Sequence, residues 1–108
     1  MRINVTTPRL DMFLQSKSDL SVFKMPTKAL TKDHLMGDVI DLSTGDLATT
    51  GFTTAYMLVN DAAAGTTDAL VVCYDARIKF KTIQDKPASL QKAIKDFWFT
   101  KNIHVSAQ

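Results

Sequence analysis

The chain has 108 residues, of which 45% are hydrophobic and 22% are charged, and its formal net charge is +2. These totals predict one small folded domain and exclude wholesale disorder, and the net charge is too small to indicate nucleic-acid binding by itself. No apolar run approaches the roughly 18 residues needed to cross a bilayer, and the start lacks the apolar stretch of a signal peptide. We therefore expect a protein that is made and kept in a cytoplasm-like compartment, with no membrane partner.

The charges are unevenly distributed along the chain. Residues 1–36 contain six Lys or Arg against three Asp, whereas residues 37–108 contain seven against eight. Every acidic residue is an aspartate, which favours turns and caps over helix interiors. The composition thus favours strands and loops, and the N-terminal residues 1–36 are mildly basic.

Residues 1–36 show neither a strand nor a helix period that persists. Short apolar groups are separated by Thr, Ser and Lys, with breaks at Pro8 and Pro26. Such a segment buries its own apolar groups poorly, yet carries too many of them for an inert tail. We interpret it as an extended N-terminal arm that orders against a partner. The alternative is that it packs along its own domain as extended edge structure.

Residues 37–108 are predicted to form the folded, β-rich domain. Residues 38–42 and 47–49 suit the two strands of a hairpin, because residues 43–46 form a turn that includes a glycine. Residues 52–60 form a longer β candidate, central in its sheet because residues 56–59 are apolar on both faces.

Two more strands and a helix follow. Residues 69–74 are continuously apolar, and residues 77–83 alternate, with Arg77, Lys79 and Lys81 on one wet face. After Asp85 as a cap, an amphipathic helix runs to about Lys101 and Asn102, which suit its C-terminal end. A short strand at residues 103–105 closes the chain. The apolar stripe that must lie on a sheet contains Leu90, Ala93, Ile94, Phe97 and Trp98. The predicted class is α+β, mostly β, with a mixed sheet and one C-terminal helix packed on it.

The residue types that perform catalysis do not converge in this sequence. Cys73 lies among Leu, Val and Tyr, which suits a small buried residue rather than a nucleophile. His34 and His104 have no Cys or His at metal-ligand spacing, and the aspartates suit turns better than a calcium loop. The four glycines form no phosphate-binding loop. We therefore expect no enzyme activity, no metal and no cofactor.

Nucleic-acid binding is a weaker alternative. Arg77, Lys79 and Lys81 would make a basic stripe, but such a stripe is more often a solvated face. Phe80 points away from these charges and Trp98 belongs to the helix stripe, so the aromatic residues needed for base stacking are not interleaved with them.

From Gly37 onward the order of elements resembles the lambda-type bacteriophage head-decoration family. The resemblance covers about two-thirds of the chain as a pattern of residue types. It departs from the family's glycine placement at residues 55–56 and 75–76. The segments that carry it are residues 37–40, 55–61, 69–72, 78–80, the helix at 88–101 and the closing residues 102–105.

This resemblance implies a small α+β or β-tulip-like body, usually trimeric, on the outer surface of the virion capsid where capsomers meet. The major capsid protein and further copies of the chain, in a homotrimer or a dimer, would be its partners. Another virion adaptor, such as a dimeric staple or a tail component, remains open, followed by a small nucleic-acid-binding module. The residues expected to contact the capsid are Arg2, Ile3, Val5, Arg9, Phe13, Leu14, Val22 and Phe23.

Overall fold

A computed structural model describes residues 13–17 and 21–106 of the chain. Within these residues there are eight strands, one α-helix and one 3₁₀ turn, which confirms the predicted α+β, mostly β class. The strands are β1 (Leu14–Lys17), β2 (Val22–Pro26), β3 (Val39–Asp41), β4 (Asp46–Leu47), β5 (Tyr56–Leu58), β6 (Asp68–Val72), β7 (Ala76–Lys79) and β8 (Ile103–Ser106). The 3₁₀ turn is Phe80–Thr82 and the helix, α1, is Ala88–Phe99.

The strands form two sheets. The larger sheet has the order β2-β6-β5-β3-β4 and its pairs are antiparallel, so β5 is its central strand, as its apolar run predicts. The smaller sheet has the order β1-β7-β8, in which β7 and β8 are parallel and are connected through α1. Parallel neighbours need such a crossover because a tight turn cannot join them.

Apolar layers cover both faces of the larger sheet, which explains why β5 lacks polar alternation. Met57 belongs to one buried cluster, together with Ile78 of the smaller sheet and Trp98 of α1. Leu58 belongs to a second cluster on the opposite face, which Leu30 and its loop help to cover. A strand that is buried on both faces must be apolar at successive positions.

The helix α1 lies on the core through the predicted stripe. Leu90, Ile94 and Trp98 are buried, while Ala93 and Phe97 are half-buried beside them. This confirms the predicted period and the position of the helix on a sheet.

The two ends of α1 differ in how well the sequence predicts them. The predicted cap by Asp85 is wrong, because the helix begins later, with Pro87 at the cap position and no side-chain cap bond. Gln91 reaches back instead, and its Nε2 donates to the Lys86 carbonyl oxygen over 2.8 Å. At the other end Asn102 has a φ of 59°, which confirms the left-handed conformation expected there.

Residues 13–17 and 21–36 belong to the body, so the interpretation of them as an arm needs correction. β1 pairs with β7, and β2 pairs with β6. Hydrogen bonds cross the predicted boundary after residue 36, since the His34 amide donates to the Ala62 carbonyl oxygen and the Met36 amide donates to Asp61 Oδ1. Both strands lie at the edge of a sheet. These residues therefore follow the alternative interpretation, in which the segment packs along its own domain as extended edge structure. Residues 1–12 lie outside the described part.

The alternating segment at residues 77–83 is shorter as a strand than its pattern predicts. β7 ends at Lys79, and the chain then enters the 3₁₀ turn, where the Ile83 amide donates to the Phe80 carbonyl oxygen. This turn carries Ile83 into the core, where it is fully buried. Lys81 therefore does not continue the stripe of Arg77 and Lys79 on the strand.

Candidate partner-binding surface

Of the eight residues predicted to contact a capsid, the four that the structure describes are not presented together. Arg2, Ile3, Val5 and Arg9 lie outside the described residues. Leu14 is buried in the core, so its assignment to a partner surface is corrected: pairing of β1 with β7 turns its side chain inward. Phe13 and Val22 are half-buried and pack against the same core.

Phe23 is the predicted contact residue that the described structure presents to solvent. Phe23 is 47% exposed although it lies within β2. Its cross-strand partner is Val71 and that of Met25 is Ala69, so Phe23 and Met25 share one face of the sheet with Cys73. Tyr74 follows directly on the chain and is 49% exposed.

These side chains border a shallow groove of about 450 Å³. We call it the Phe23 surface; its lining consists of Phe23, Lys24, Met25, Pro26, Cys73 and Tyr74. Two half-exposed aromatic rings beside a thiol and a thioether form an apolar patch of the kind that marks interaction sites. Sequence reasoning found Phe23 but missed Tyr74, because pairing of β2 with β6 brings these distant parts of the chain together.

The backbone of β2 adds a second binding feature to the Phe23 surface. The Cys73 amide donates to the Ser21 carbonyl oxygen and the Thr27 amide donates to that of Thr67, so the odd-numbered residues turn their backbone towards β6. The amide and carbonyl of Val22 and Lys24 therefore point to the outer edge. Among the described residues no strand pairs with that edge.

Lys24 and Pro26 restrict which strands can add to this edge. A charged lysine and a proline, which lacks an amide hydrogen, are common on edge strands because they discourage pairing between identical copies. The edge is therefore short, because only Val22 and Lys24 each offer one backbone donor and one backbone acceptor. Selective pairing with a partner strand would depend on side chains of that strand that fill the groove of the Phe23 surface.

Burial disfavours the ionised forms of the Cys73 thiol and the Tyr56 phenol. Burial raises the pKa of the Cys73 thiol, and nearby Lys101 opposes this rise without cancelling it. Burial also raises the pKa of Tyr56, and Cys73 adds to the effect. A protonated thiol is a poor nucleophile, so Cys73 serves as part of an apolar surface. The sequence context of Cys73 had suggested a buried residue, but Cys73 is only half-buried.

His34 has a structural position that the sequence did not reveal. Its side chain is 1% exposed, and its Nδ1 lies 3.3 Å from Asp38 Oδ2. Its backbone exchanges two hydrogen bonds with Ala62, of 2.8 and 2.9 Å. His34 therefore joins the loop before β3 to the loop after β5. The only local signal was Asp38 four residues later, which is too common a spacing to be informative.

Groups of three or more potential metal ligands are absent from the described residues. No helix among residues 13–17 and 21–106 is long and apolar enough to span a membrane. No family model, no curated protein and no solved structure matches this chain.

Proposed function

We propose that this protein is a structural virion protein that binds the exterior of a phage capsid and stabilises contacts between capsomers. The observation that carries the proposal is the Phe23 surface, an apolar groove beside a strand edge with which no described strand pairs. The resemblance to head-decoration proteins implies that the partner of this surface is the major capsid protein. The proposal includes no enzymatic step.

The proposed mechanism is mechanical and combines two kinds of contact. An extended capsid segment adds to the outer edge of β2, where Val22 and Lys24 offer backbone donors and acceptors. An apolar side chain of that segment fills the groove between Phe23 and Tyr74. Backbone bonds supply affinity and the groove supplies selectivity.

Self-association would convert such weak contacts into stable decoration. One copy offers a short edge and a small groove, which suits a weak contact on its own. A homotrimer, or a dimer, presents several such surfaces at once, and the effective concentration of the second and third contacts raises the overall affinity by about 10²–10⁴-fold. Binding would then depend on an assembled capsid, where the partner segments are correctly spaced.

Co-sedimentation with expanded capsids of a lambda-type phage that lack their decoration protein tests this proposal. We expect saturable binding of the full chain and binding at least about tenfold weaker for Phe23→Ser, as for the loss of an interface hot spot. Leu35→Ser is the matched control, because Leu35 is 60% exposed and lies outside the Phe23 surface. Failure of the full chain to bind, or equal binding of Phe23→Ser and the wild type, would contradict the proposal.

A second pair of variants separates residues 1–12 from the body. A truncation that begins at Gly37 would remove β1 and β2 and with them part of the core, so its failure to bind would be uninformative. Deletion of residues 1–12 leaves both strands in place. If that deletion abolishes binding while Phe23→Ser does not, the capsid contact lies in residues 1–12 and the Phe23 surface has no role in it.

A further inference from the structure

A second groove, of about 390 Å³, lies beside β8 on another part of the molecule. We call it the β8 groove. Ile103 and Val105 of β8 border it although their side chains pack in and on the core, and Phe99 at the end of α1 lines it and is 69% exposed. The lining of the β8 groove consists of Arg77, Lys95, Phe99, Ile103, His104 and Val105.

β8 presents to this groove a backbone edge with which no described strand pairs. The Ala76 amide donates to the Asn102 carbonyl oxygen, which fixes the parallel register in which residues 102, 104 and 106 turn towards β7. The amide and carbonyl of Ile103 and Val105 therefore point away from the sheet. No other strand of the described part pairs with this side of β8.

The charges around the β8 groove have one sign. Arg77 and Lys95 line it, and no carboxylate does. The aspartates nearest to them in sequence bind other groups: Asp96 accepts from Lys92 Nζ over 2.9 Å, and Asp75 accepts from Asn102 Nδ2 over 2.9 Å. The guanidinium of Arg77 forms no ion pair or side-chain hydrogen bond with the described residues.

We propose that the β8 groove binds an extended acidic peptide segment of a partner protein, which adds as a strand to β8. The backbone of that segment would bond to Ile103 and Val105, and its carboxylates would meet Arg77 and Lys95. An apolar side chain of the segment would pack on Phe99. Charge complementarity selects an acidic occupant, since a basic strand would meet two cations without a counter-charge. This inference concerns a different surface from the capsid proposal and does not depend on it.

A peptide fits this groove better than a single-stranded nucleic acid. Proteins that bind single strands stack successive bases on several aromatic rings, but Phe99 is the only phenylalanine, tyrosine or tryptophan among the described residues that line the groove. Two cations also neutralise few phosphates, which gives weak binding at physiological salt. The amides of Ile103 and Val105, which point away from β7, by contrast match the hydrogen-bonding pattern of a strand.

Titration of the ¹⁵N-labelled full chain with synthetic peptides tests the proposal. The probe is a capped peptide of about six residues, the usual strand length, with alternating Asp and Val. We expect saturable shifts at Ile103 and Val105 and slower hydrogen exchange of these two amides when the peptide is bound. Loss of one charge-assisted contact, in Arg77→Ser or Lys95→Ser, should weaken binding about tenfold. Lys92→Ser is the matched control, because Lys92 lies on the same helix outside the groove.

Each other outcome overturns the proposal. Absence of saturable shifts with the acidic peptide, or equal binding of a peptide with Lys in place of Asp, removes the argument from charge. Tighter binding of an oligothymidylate than of the acidic peptide assigns the groove to nucleic acid. If the amides of Ile103 and Val105 already exchange slowly in the free chain, residues of the chain itself occupy the edge and the groove is not open to a partner.

Discussion

The indole Nε1 of Trp98 donates a buried hydrogen bond of 2.6 Å to the carbonyl oxygen of Ala55. Ala55 immediately precedes β5, the central strand of the larger sheet, and both residues are fully buried. The bond therefore fixes the helix on the sheet at one position, in addition to the non-directional packing of its apolar stripe. It also satisfies a carbonyl group that would otherwise be unpaired in the core.

Replacement of Trp98 by phenylalanine should destabilise the protein by at least about 1–3 kcal/mol, because it leaves the Ala55 carbonyl oxygen buried without a donor. Ile94→Val on the same stripe is the control for a small cavity alone and should cost about 0.5–1.5 kcal/mol. Urea unfolding measures both costs. It is followed by circular dichroism and not by tryptophan fluorescence, because Trp98 is the only tryptophan in the chain and the variant lacks it. Equal stability of Trp98→Phe and the wild type would show that the bond contributes nothing.

Leu14 and Phe23 provide a direct test of where the partner surface ends and the body begins. Leu14 is 6% exposed within the core cluster, so Leu14→Ala should cost about 2–5 kcal/mol. Phe23 is half-exposed, and Phe23→Ala should change the unfolding free energy far less, by about 0.5 kcal/mol as at ordinary surface positions. The same urea measurements apply. A neutral Leu14→Ala would mean that β1 does not belong to the body.

The sequence predicted the elements whose side-chain pattern follows from burial on a regular surface. β5 is apolar at successive residues because core clusters cover both faces, and α1 repeats its stripe because a single face meets the sheet. Both patterns are local consequences of where the element lies. The closing strand β8 was predictable from its apolar residues, and the left-handed Asn102 was predictable because asparagine tolerates this conformation at a helix C-terminus.

β1 and β2 could not be predicted because they are edge strands with little periodicity of their own. β1 contains a register shift between Leu14 and Ser16, which interrupts strict alternation. In β2 the face that carries Phe23 is only partly covered, so an exposed aromatic residue stands where a core residue would be expected. The Phe23 surface was half predictable: Phe23 is conspicuous in the sequence, whereas its neighbour Tyr74 is placed there by strand pairing alone.

Asp41 connects the turn after β3 to the segment before β5 and should give the protein a pH-dependent stability. Its carboxylate accepts hydrogen bonds from Ser43 Oγ (2.7 Å), the Ser43 amide (3.0 Å) and the Thr53 amide (3.2 Å). Burial by itself raises the pKa of Asp41, but these bonds and those from Thr54 outweigh it and hold the pKa below its ordinary value. The charged form is therefore the one that stabilises the fold.

A lowered pKa in the folded state means that the stabilisation is complete above the unfolded-state pKa and is lost as the pH falls through the folded-state pKa. Asp41→Asn should thus cost about 1.5–3 kcal/mol near neutral pH, as for hydrogen bonds to a charged group. The difference from the wild type should begin to narrow near the unfolded-state pKa of about 3.9 and should close as the pH falls through the lower folded-state pKa of Asp41. Urea unfolding at several pH values measures this, with exposed Asp68→Asn as the control. A difference that stays constant with pH would exclude a role for the charge.

Gly37 and Gly65 form a matched pair that isolates the packing of Phe13 on the body. Their φ angles are nearly equal, at 94° and 90°, so an alanine at either position incurs similar backbone strain. A Cβ at Gly37 would lie 2.7 Å from Phe13 Cε1, whereas a Cβ at Gly65 would have no heavy atom within 4 Å. The two substitutions therefore differ in one contact.

Gly65→Ala should cost about 1–2 kcal/mol from strain alone, and Gly37→Ala should cost about 1–3 kcal/mol more because the aromatic ring must move. Phe13→Leu combined with Gly37→Ala should recover part of this extra cost, since a shorter side chain removes the overlap. Thermal and urea unfolding of the four proteins, wild type included, measure these differences. Equal costs at Gly37 and Gly65 would mean that the Phe13 ring does not rest on Gly37, and Phe13 would then be free to contact a partner.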